Sequence, residues 1–378
     1  MMFLAICLFS AIYAVSAQNG TVRGCYLANW AQHLKGAGKF NIAQNYIPGI
    51  CTHIFYAFAS VDDTFNLKPT DNLDLDPNAG YAQLKLLKQN DSQLKTLISV
   101  GGGGFKGKIF AQIASDPKNL QTFAQNTVNY MQQYGFDGVD LDWEFPKASQ
   151  KDAFSAILKA LKNATNGQYL VTAAVSAYIP QIKKSYDLAA VEAALDYMNV
   201  MAYDYHGNWE KRTGVNAPLY SKDKLNINRS IQYLLKQGFN ASKMVLGMPT
   251  YARGWTLKSG RSGQGIGAKA KGPSPKGPIT KTKGELAYFE ICKLIKKGGK
   301  KKWNKKTKTP YVQYKNKWYT YENPKSITQK VKYAQQNKLA GVFVWTIDND
   351  DFKGSCPQKK RYPLMNAISK TLIGQTFE

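Results

Sequence analysis

Residues 136–146 read Phe136-Asp137-Gly138-Val139-Asp140-Leu141-Asp142-Trp143-Glu144-Phe145-Pro146. In an extended strand successive side chains alternate between faces, so Asp140, Asp142 and Glu144 share one face while Val139, Leu141 and Trp143 share the other. The apolar face is one that helices would cover, and the acidic face then lines an interior and climbs toward the strand's C-terminal end. Three carboxylates about 6–7 Å apart along that face cannot all remain ionised in a partly dry interior. Desolvation and like-charge repulsion raise at least one of them, and the group titrates as a unit. This predicts a protonated Glu144 at the rim, suited to general-acid work. Calcium is the rival for an acidic cluster, but strand alternation lacks the glycine turn and spaced loop ligands of such sites.

Working outward, β-rich runs recur at 22–30, 52–60, 95–102, 135–144, 169–177, 197–205, 244–252 and 341–348, eight in all. Several are almost continuously apolar (THIFYAFAS, YLVTAAVSA, AGVFVWTID), as parallel strands buried on both faces are. Between them lie helical patterns at 116–134, where Asp116 is placed to cap and Pro117 occupies the first turn, and at 152–163 and 327–337. Eight strands alternating with helices predict an α/β fold, a TIM (β/α)8 barrel, over residues 18–255 and 324–378. A doubly wound open sheet is the alternative, but the first strand leads into Asn29-Trp30-Ala31-Gln32 and not into a glycine-rich phosphate turn. Residues 256–323 break the rhythm with a Gly/Ser/Pro/Lys loop followed by a helix and aromatic strands, which predicts a small α+β insertion between strands seven and eight.

The first seventeen residues form an apolar run closed by Val15-Ser16-Ala17, the pattern of a secretory leader with its cleavage site. The run is shorter than the ~20 apolar residues of a membrane span, so the expectation is a secreted, extracellular protein without a membrane anchor. Loss of the leader removes Cys7 and leaves Cys25, Cys51, Cys292 and Cys356, an even set that reads as two disulfides with three pairings open. Tetrahedral zinc is disfavoured by the absence of a CxxC pair and by only three histidines, so no metal is expected. Asn19, Asn90, Asn163, Asn228 and Asn240 stand in glycosylation sequons. The net charge of +26 means a surface that attracts polyanions, and nine lysines fall between Lys293 and Lys308. In a secreted chain that favours acidic polysaccharide, anionic matrix or a mineral-associated scaffold over nucleic acid; the plain alternative is a solvated basic face. A monomer is expected.

The motif DGVDLDWE (137–144) resembles the DxxDxDxE signature of glycoside hydrolase family 18, the chitinases and their relatives. Further matches follow in the family's order. Ser99-Val100-Gly101-Gly102 looks like its SxGG, Met201-Ala202-Tyr203-Asp204 like its MxYD, and Leu246–Arg253 and the Trp345 strand like its strands seven and eight. The resemblance covers essentially the whole mature chain, insertion included, and implies the pairings Cys25–Cys51 and Cys292–Cys356.

The resemblance also implies an activity, endo-acting hydrolysis of β-1,4 bonds in chitin or chito-oligosaccharides. Asp142 and Glu144 approach from one strand, so Asp142 is badly placed to attack a sugar from the opposite face. Family members resolve this by substrate assistance, in which the substrate's own acetamide is the nucleophile. On that pattern Glu144 is acid and base, Asp142 orients the acetamide, Asp140 shares a proton with Asp142, and Tyr203 bonds the acetamide carbonyl with Asp204 beside it. Tyr26 and Ser99 support Asp140, Asp137 holds the strand's entry, and Tyr251 and Arg253 form a polar wall. Trp345 is the floor on which the cleaved sugar stacks, Trp30 and Trp209 serve outer subsites, and Phe58 and Gly102 complete the substrate-binding set. No cofactor is implied. The chain departs from the family in having Gly103-Gly104-Phe105 where a tryptophan often follows SxGG, and no cysteine-dense module follows the last strand. A non-catalytic chitin lectin on the same barrel is the competing reading, although such relatives typically lack the acid or its neighbouring Asp.

Overall fold

The computed structural model describes residues 21–258 and 265–378. The leader with its cleavage site, Cys7 and Asn19 lie outside the described residues. Eight parallel strands form the centre: β1 Val22–Ala28, β2 His53–Val61, β3 Lys95–Gly101, β4 Gly138–Asp142, β5 Leu170–Ser176, β6 Tyr197–Met201, β7 Met244–Pro249 and β8 Gly341–Trp345. Each pairs with its sequence neighbour, and β1 pairs with both β2 and β8, so the sheet closes. A doubly wound sheet would leave two open edges and is thereby excluded. Inside the barrel Val22, Tyr26, Phe55, Leu97, Val245 and Phe343 form one apolar cluster. Val139, Leu141 and Trp143 point the other way, into the shell between strands and helices, as the alternation in 136–146 predicts.

Local sequence explains where the elements stop. The helix Pro117–Tyr134 starts on Asp116, whose carboxylate accepts from the Lys118 N–H at 2.7 Å, and ends on Gly135 at φ 77°, a left-handed conformation that costs glycine little. The strand expected over 135–144 is therefore shorter at both ends. Asp137 ties its entry by accepting from the Thr96 N–H at 2.7 Å and from Lys88 at 2.7 Å. Its exit is set by Gly101 and Gly102, at φ 115° and 92°, where the backbone of the neighbouring strand turns and the Gly102 N–H donates to the Asp142 carbonyl at 2.8 Å. Glu144 consequently lies just beyond β4, at the barrel's C-terminal mouth.

The run at 244–252 divides at Thr250. Met244–Pro249 stays in the barrel, whereas Tyr251–Leu257 joins a second, antiparallel sheet of six strands. That sheet runs in the order Ala270–Pro273, Tyr251–Leu257, Lys317–Thr320, Thr309–Tyr314, Lys300–Asn304, with Glu285–Ala287 also paired to Tyr251–Leu257. It has its own small core around Trp255 and Trp318. The second sheet thus begins ahead of the expected residue 256, and its first strand arrives directly from the barrel mouth. Disulfides join Cys25 to Cys51 and Cys292 to Cys356, with Cα–Cα distances of 6.1 and 5.2 Å. These are the pairings the family resemblance implies. Asn90, Asn163 and Asn240 are exposed, while Asn228 is partly buried and accepts from the Tyr333 hydroxyl at 3.0 Å. Among the described residues no helix is long and apolar enough to cross a membrane.

Candidate active site

The inward face of β4 meets its neighbours in register: Ser99 lies opposite Asp140 on one side and Thr172 on the other. Asp140 is fully buried and accepts four hydrogen bonds from four different strands. Tyr26 (2.8 Å) and Ser99 (2.7 Å) donate to Oδ2, and Thr172 (2.7 Å) and Asn199 (3.2 Å) donate to Oδ1. Asn199 also donates to the Tyr26 hydroxyl at 3.0 Å. Burial pushes the Asp140 carboxyl above its ordinary range, and the four donors pull it part of the way back. Tyr26 and Ser99 therefore stand where the resemblance puts them. Thr172 and Asn199 went unread, although a polar residue at an inward position of an otherwise apolar strand (Thr172 in YLVTAAVSA, Asn199 in YMNVM) is a visible signal for both.

Asp142 is also buried, and its Oδ1 has no hydrogen-bond partner among the described residues. Burial, then the charge of Glu144, then that of Asp140 push its carboxyl well above the usual range. The proton sharing expected between Asp140 and Asp142 has no hydrogen bond in the structure, because both Asp140 oxygens are already taken by donors from other strands. Asp142 is left facing the cleft. Glu144 is open to water within that cleft yet flanked by its walls. This partial desolvation, reinforced by the nearby Asp204 charge, raises its carboxyl to about 7. At neutral pH a large fraction of Glu144 thus carries a proton.

The cleft above these acids has a volume of roughly 580 Å³, and Gly103, Asp142, Glu144, Met201, Tyr203 and Trp345 form its base. Trp345 is braced from behind: Phe58 stacks on it at 5.5 Å and Tyr26 lies against it at 5.4 Å. Gly102 is needed for this, since a Cβ there would come within 2.5 Å of the Phe58 ring. Phe58, expected among the substrate-binding residues, is thus a support behind Trp345 and Gly102, not part of the cleft lining. Trp30, 46% exposed, lies 6.3 Å from Trp345 at one side of the mouth, and Trp209, 60% exposed, stands at the other. Tyr203 packs edge-on against Tyr251 and Phe343, and burial keeps its hydroxyl protonated and available as a donor.

The polar wall comes from two sheets. Asp204, just past β6 at φ 59°, accepts from the Tyr251 hydroxyl (2.7 Å) and from Arg253 Nε (2.8 Å) and Nη2 (2.5 Å). Arg253 Nη1 reaches on to Glu285, and its guanidinium lies 5.2 Å from the Trp209 ring. Sequence reading missed Glu285; it is brought here by the pairing of Glu285–Ala287 with Tyr251–Leu257, and no local pattern marks it. Phe105 does not take the place of the missing tryptophan. Its ring packs against Phe110 at 5.1 Å, in the outer shell. Position 103 itself is exposed, and a Cβ there would lie 3.4 Å from Glu144 Oε1, so a side chain at this position would start in contact with the acid.

A chamber so built can deliver a proton from Glu144, accept a hydrogen bond on Asp142, donate one from Tyr203, and stack a flat apolar ring on Trp345. Comparison with known proteins agrees with that chemistry. Residues 22–350 match the Glycosyl hydrolases family 18. The chain is 36% identical to mouse chitotriosidase-1 over 92% of its own length and 77% of the relative's. It is 34% identical to a probable endochitinase of Caenorhabditis elegans, covering 94% of this chain and 61% of that one. Among solved structures, the immunomodulatory active chitinase of Trichuris suis superposes with a TM-score of 0.90 at 36% identity, over 93% of this chain and 100% of that one. Human YKL-39, a pseudo-chitinase with retained chitooligosaccharide binding, superposes with 0.89 at 32% identity, over 94% and 100%.

Proposed function

The chain belongs to the glycosyl hydrolases of family 18, and on that premise we propose that it is a secreted chitinase cleaving β-1,4 bonds between N-acetylglucosamine units with retention of configuration. Glu144 gives its proton to the glycosidic oxygen as the acetamide oxygen of the same sugar attacks the anomeric carbon. The leaving chain departs and a cyclic oxazolinium remains. Asp142 accepts a hydrogen bond from the acetamide N–H and balances the positive charge; Tyr203 donates to the acetamide oxygen. Glu144, now a carboxylate, takes a proton from the water that opens the ring at the same face.

One observation carries this reading: the buried, unpartnered Asp142 oxygen beside a Glu144 held protonated to about 7. An unsatisfied buried acceptor costs about 1–3 kcal/mol, and a substrate N–H is the group that would relieve it. Two formed disulfides fit an oxidising, extracellular setting. The test is release of sugar from N-acetylglucosamine oligomers by wild type and Glu144→Gln. We expect kcat/KM to fall by about 10²–10⁴ with oligomer binding retained; equal rates would refute the assignment. A wild type that binds oligomers but releases nothing would make the protein a binding-only relative, like the human pseudo-chitinase.

A further inference from the structure

Between Glu290 and Glu322 the chain holds eleven lysines, no arginine and no acidic residue. The two bracketing glutamates are buried and spent internally, Glu290 on the Thr280 hydroxyl (2.7 Å) and the Ala287 N–H (3.1 Å), Glu322 on Lys330. None of the eleven lysines forms an ion pair among the described residues. Lys296, Lys297, Lys300, Lys301, Lys302, Lys305 and Lys306 are all exposed. The fold gathers them at one place. Lys300–Asn304 is the terminal strand of the antiparallel sheet, preceded by the end of helix Tyr288–Lys296 and followed by the turn into Thr309–Tyr314.

We propose that this lysine edge is a docking surface for a linear anionic polysaccharide bearing sulfate or carboxylate groups, separate from the cleft. Edge lysines do discourage strand pairing with another chain, but that role requires a charge or two on the strand and leaves the lysines of the helix end and the turn unexplained. An extended strand offers ammonium groups at short regular intervals on both of its faces, which suits a polymer with repeating charges. The all-lysine composition selects among polyanions. Arginine is the residue that reads phosphates bidentately and dominates nucleic-acid sites, whereas lysine acts as a hydrated point charge. The edge lies three strands from Tyr251–Leu257, which carries Tyr251 and Arg253 into the cleft wall; at ~4.8 Å per strand that is about 14 Å. A chain held there leaves the cleft free and keeps it beside a composite, partly acidic matrix.

The experiment uses the full chain with heparin as the sulfated probe, hyaluronan as the carboxylated one, dextran as the neutral one and a DNA duplex as competitor. Wild type should bind the two acidic glycans and not dextran, with affinity falling as salt rises. Replacing Lys300, Lys301, Lys302, Lys305 and Lys306 by Gln should weaken binding at least tenfold. It should also flatten the salt dependence by about 3.5–4.5 in log–log slope, at ~0.7–0.9 per charge contact as for counterion release from nucleic acids. Hydrolysis of neutral oligomers should be unchanged. A control with Lys85, Lys118, Lys159, Lys236 and Lys332 replaced by Gln removes the same charge from elsewhere and should bind within threefold of wild type. Equal losses in the two variants would reduce the effect to net charge and overturn the proposal, as would DNA binding tighter than either glycan.

Discussion

Replacing Asp140 by Ala or by Asn separates two things the structure combines at this position, a hydrogen-bond hub and a buried charge. Asp140→Ala removes both. The hydroxyls of Tyr26, Ser99 and Thr172 then lose their acceptor, whereas the Asn199 amide keeps the Tyr26 oxygen at 3.0 Å. Three buried donors left without partners, at ~1–3 kcal/mol each, amount to about 3–9 kcal/mol. Set against a total stability of about 5–15 kcal/mol, that is a severe loss. Asp140→Asn keeps half of the hub: its amide oxygen can face Thr172 and Asn199, which includes the one partner that can only donate, while its NH2 faces the Tyr26 and Ser99 hydroxyls, whose own hydrogens lose their acceptor. The charge disappears as well. Burial holds the Asp140 carboxyl above its unfolded value, so wild type is favoured by this group at low pH and loses that contribution as pH rises through the folded-state titration. Asp140→Asn should therefore fall between wild type and the alanine variant at pH 7, and should lose relative ground as the pH falls from the raised folded-state value to the ordinary aspartate range, below which the difference is constant. Urea unfolding of all three proteins at pH 7 and at pH 4 is the assay. An Asp140→Ala within ~1 kcal/mol of wild type, or an Asp140→Asn as damaged as the alanine variant, would refute the reasoning.

The alkaline limb of kcat/KM on N-acetylglucosamine oligomers should fall near pH 7, because the acid form of Glu144 is required and its carboxyl lies at about 7. Asp204→Asn removes a negative neighbour and should move that limb to lower pH; no movement would separate Asp204 from the acid. Gly103→Trp places an aromatic ring at an exposed position in contact with Glu144 and should lower KM for hexamers about twofold to twelvefold, from ~0.5–1.5 kcal/mol per aromatic contact, with little change for dimers. Cys292→Ser with Cys356→Ser opens a loop of sequence separation 64 and should lower stability by about 4 kcal/mol, readable in thermal unfolding, without altering KM at the cleft.

Alternation alone placed Asp140, Asp142 and Glu144 on one face and Val139, Leu141 and Trp143 on the other, because the two-residue period of a strand is a local property of the backbone. Eight apolar runs separated by helical patterns led to the barrel for a similar reason, since strands covered on both faces leave a continuous hydrophobic trace. Ends were less legible. Gly135 and the Gly101-Gly102 turn shorten β4, and Thr250 hands the chain from one sheet to the other, through backbone conformations and pairings that side-chain pattern does not report. What only tertiary structure decided is which groups reach the same point from distant segments. Asn199 and Thr172 close around Asp140 from other strands, Glu285 reaches Arg253 across a sheet, and Phe105 turns into the shell and leaves Gly103 bare. Those contacts depend on closure of the barrel and on the register between strands far apart in sequence. The residues of the acid ladder were therefore readable in order along the chain, while the state of each acid, with Asp140 saturated, Asp142 unpartnered and Glu144 poised near neutrality, was set by neighbours that the chain order conceals.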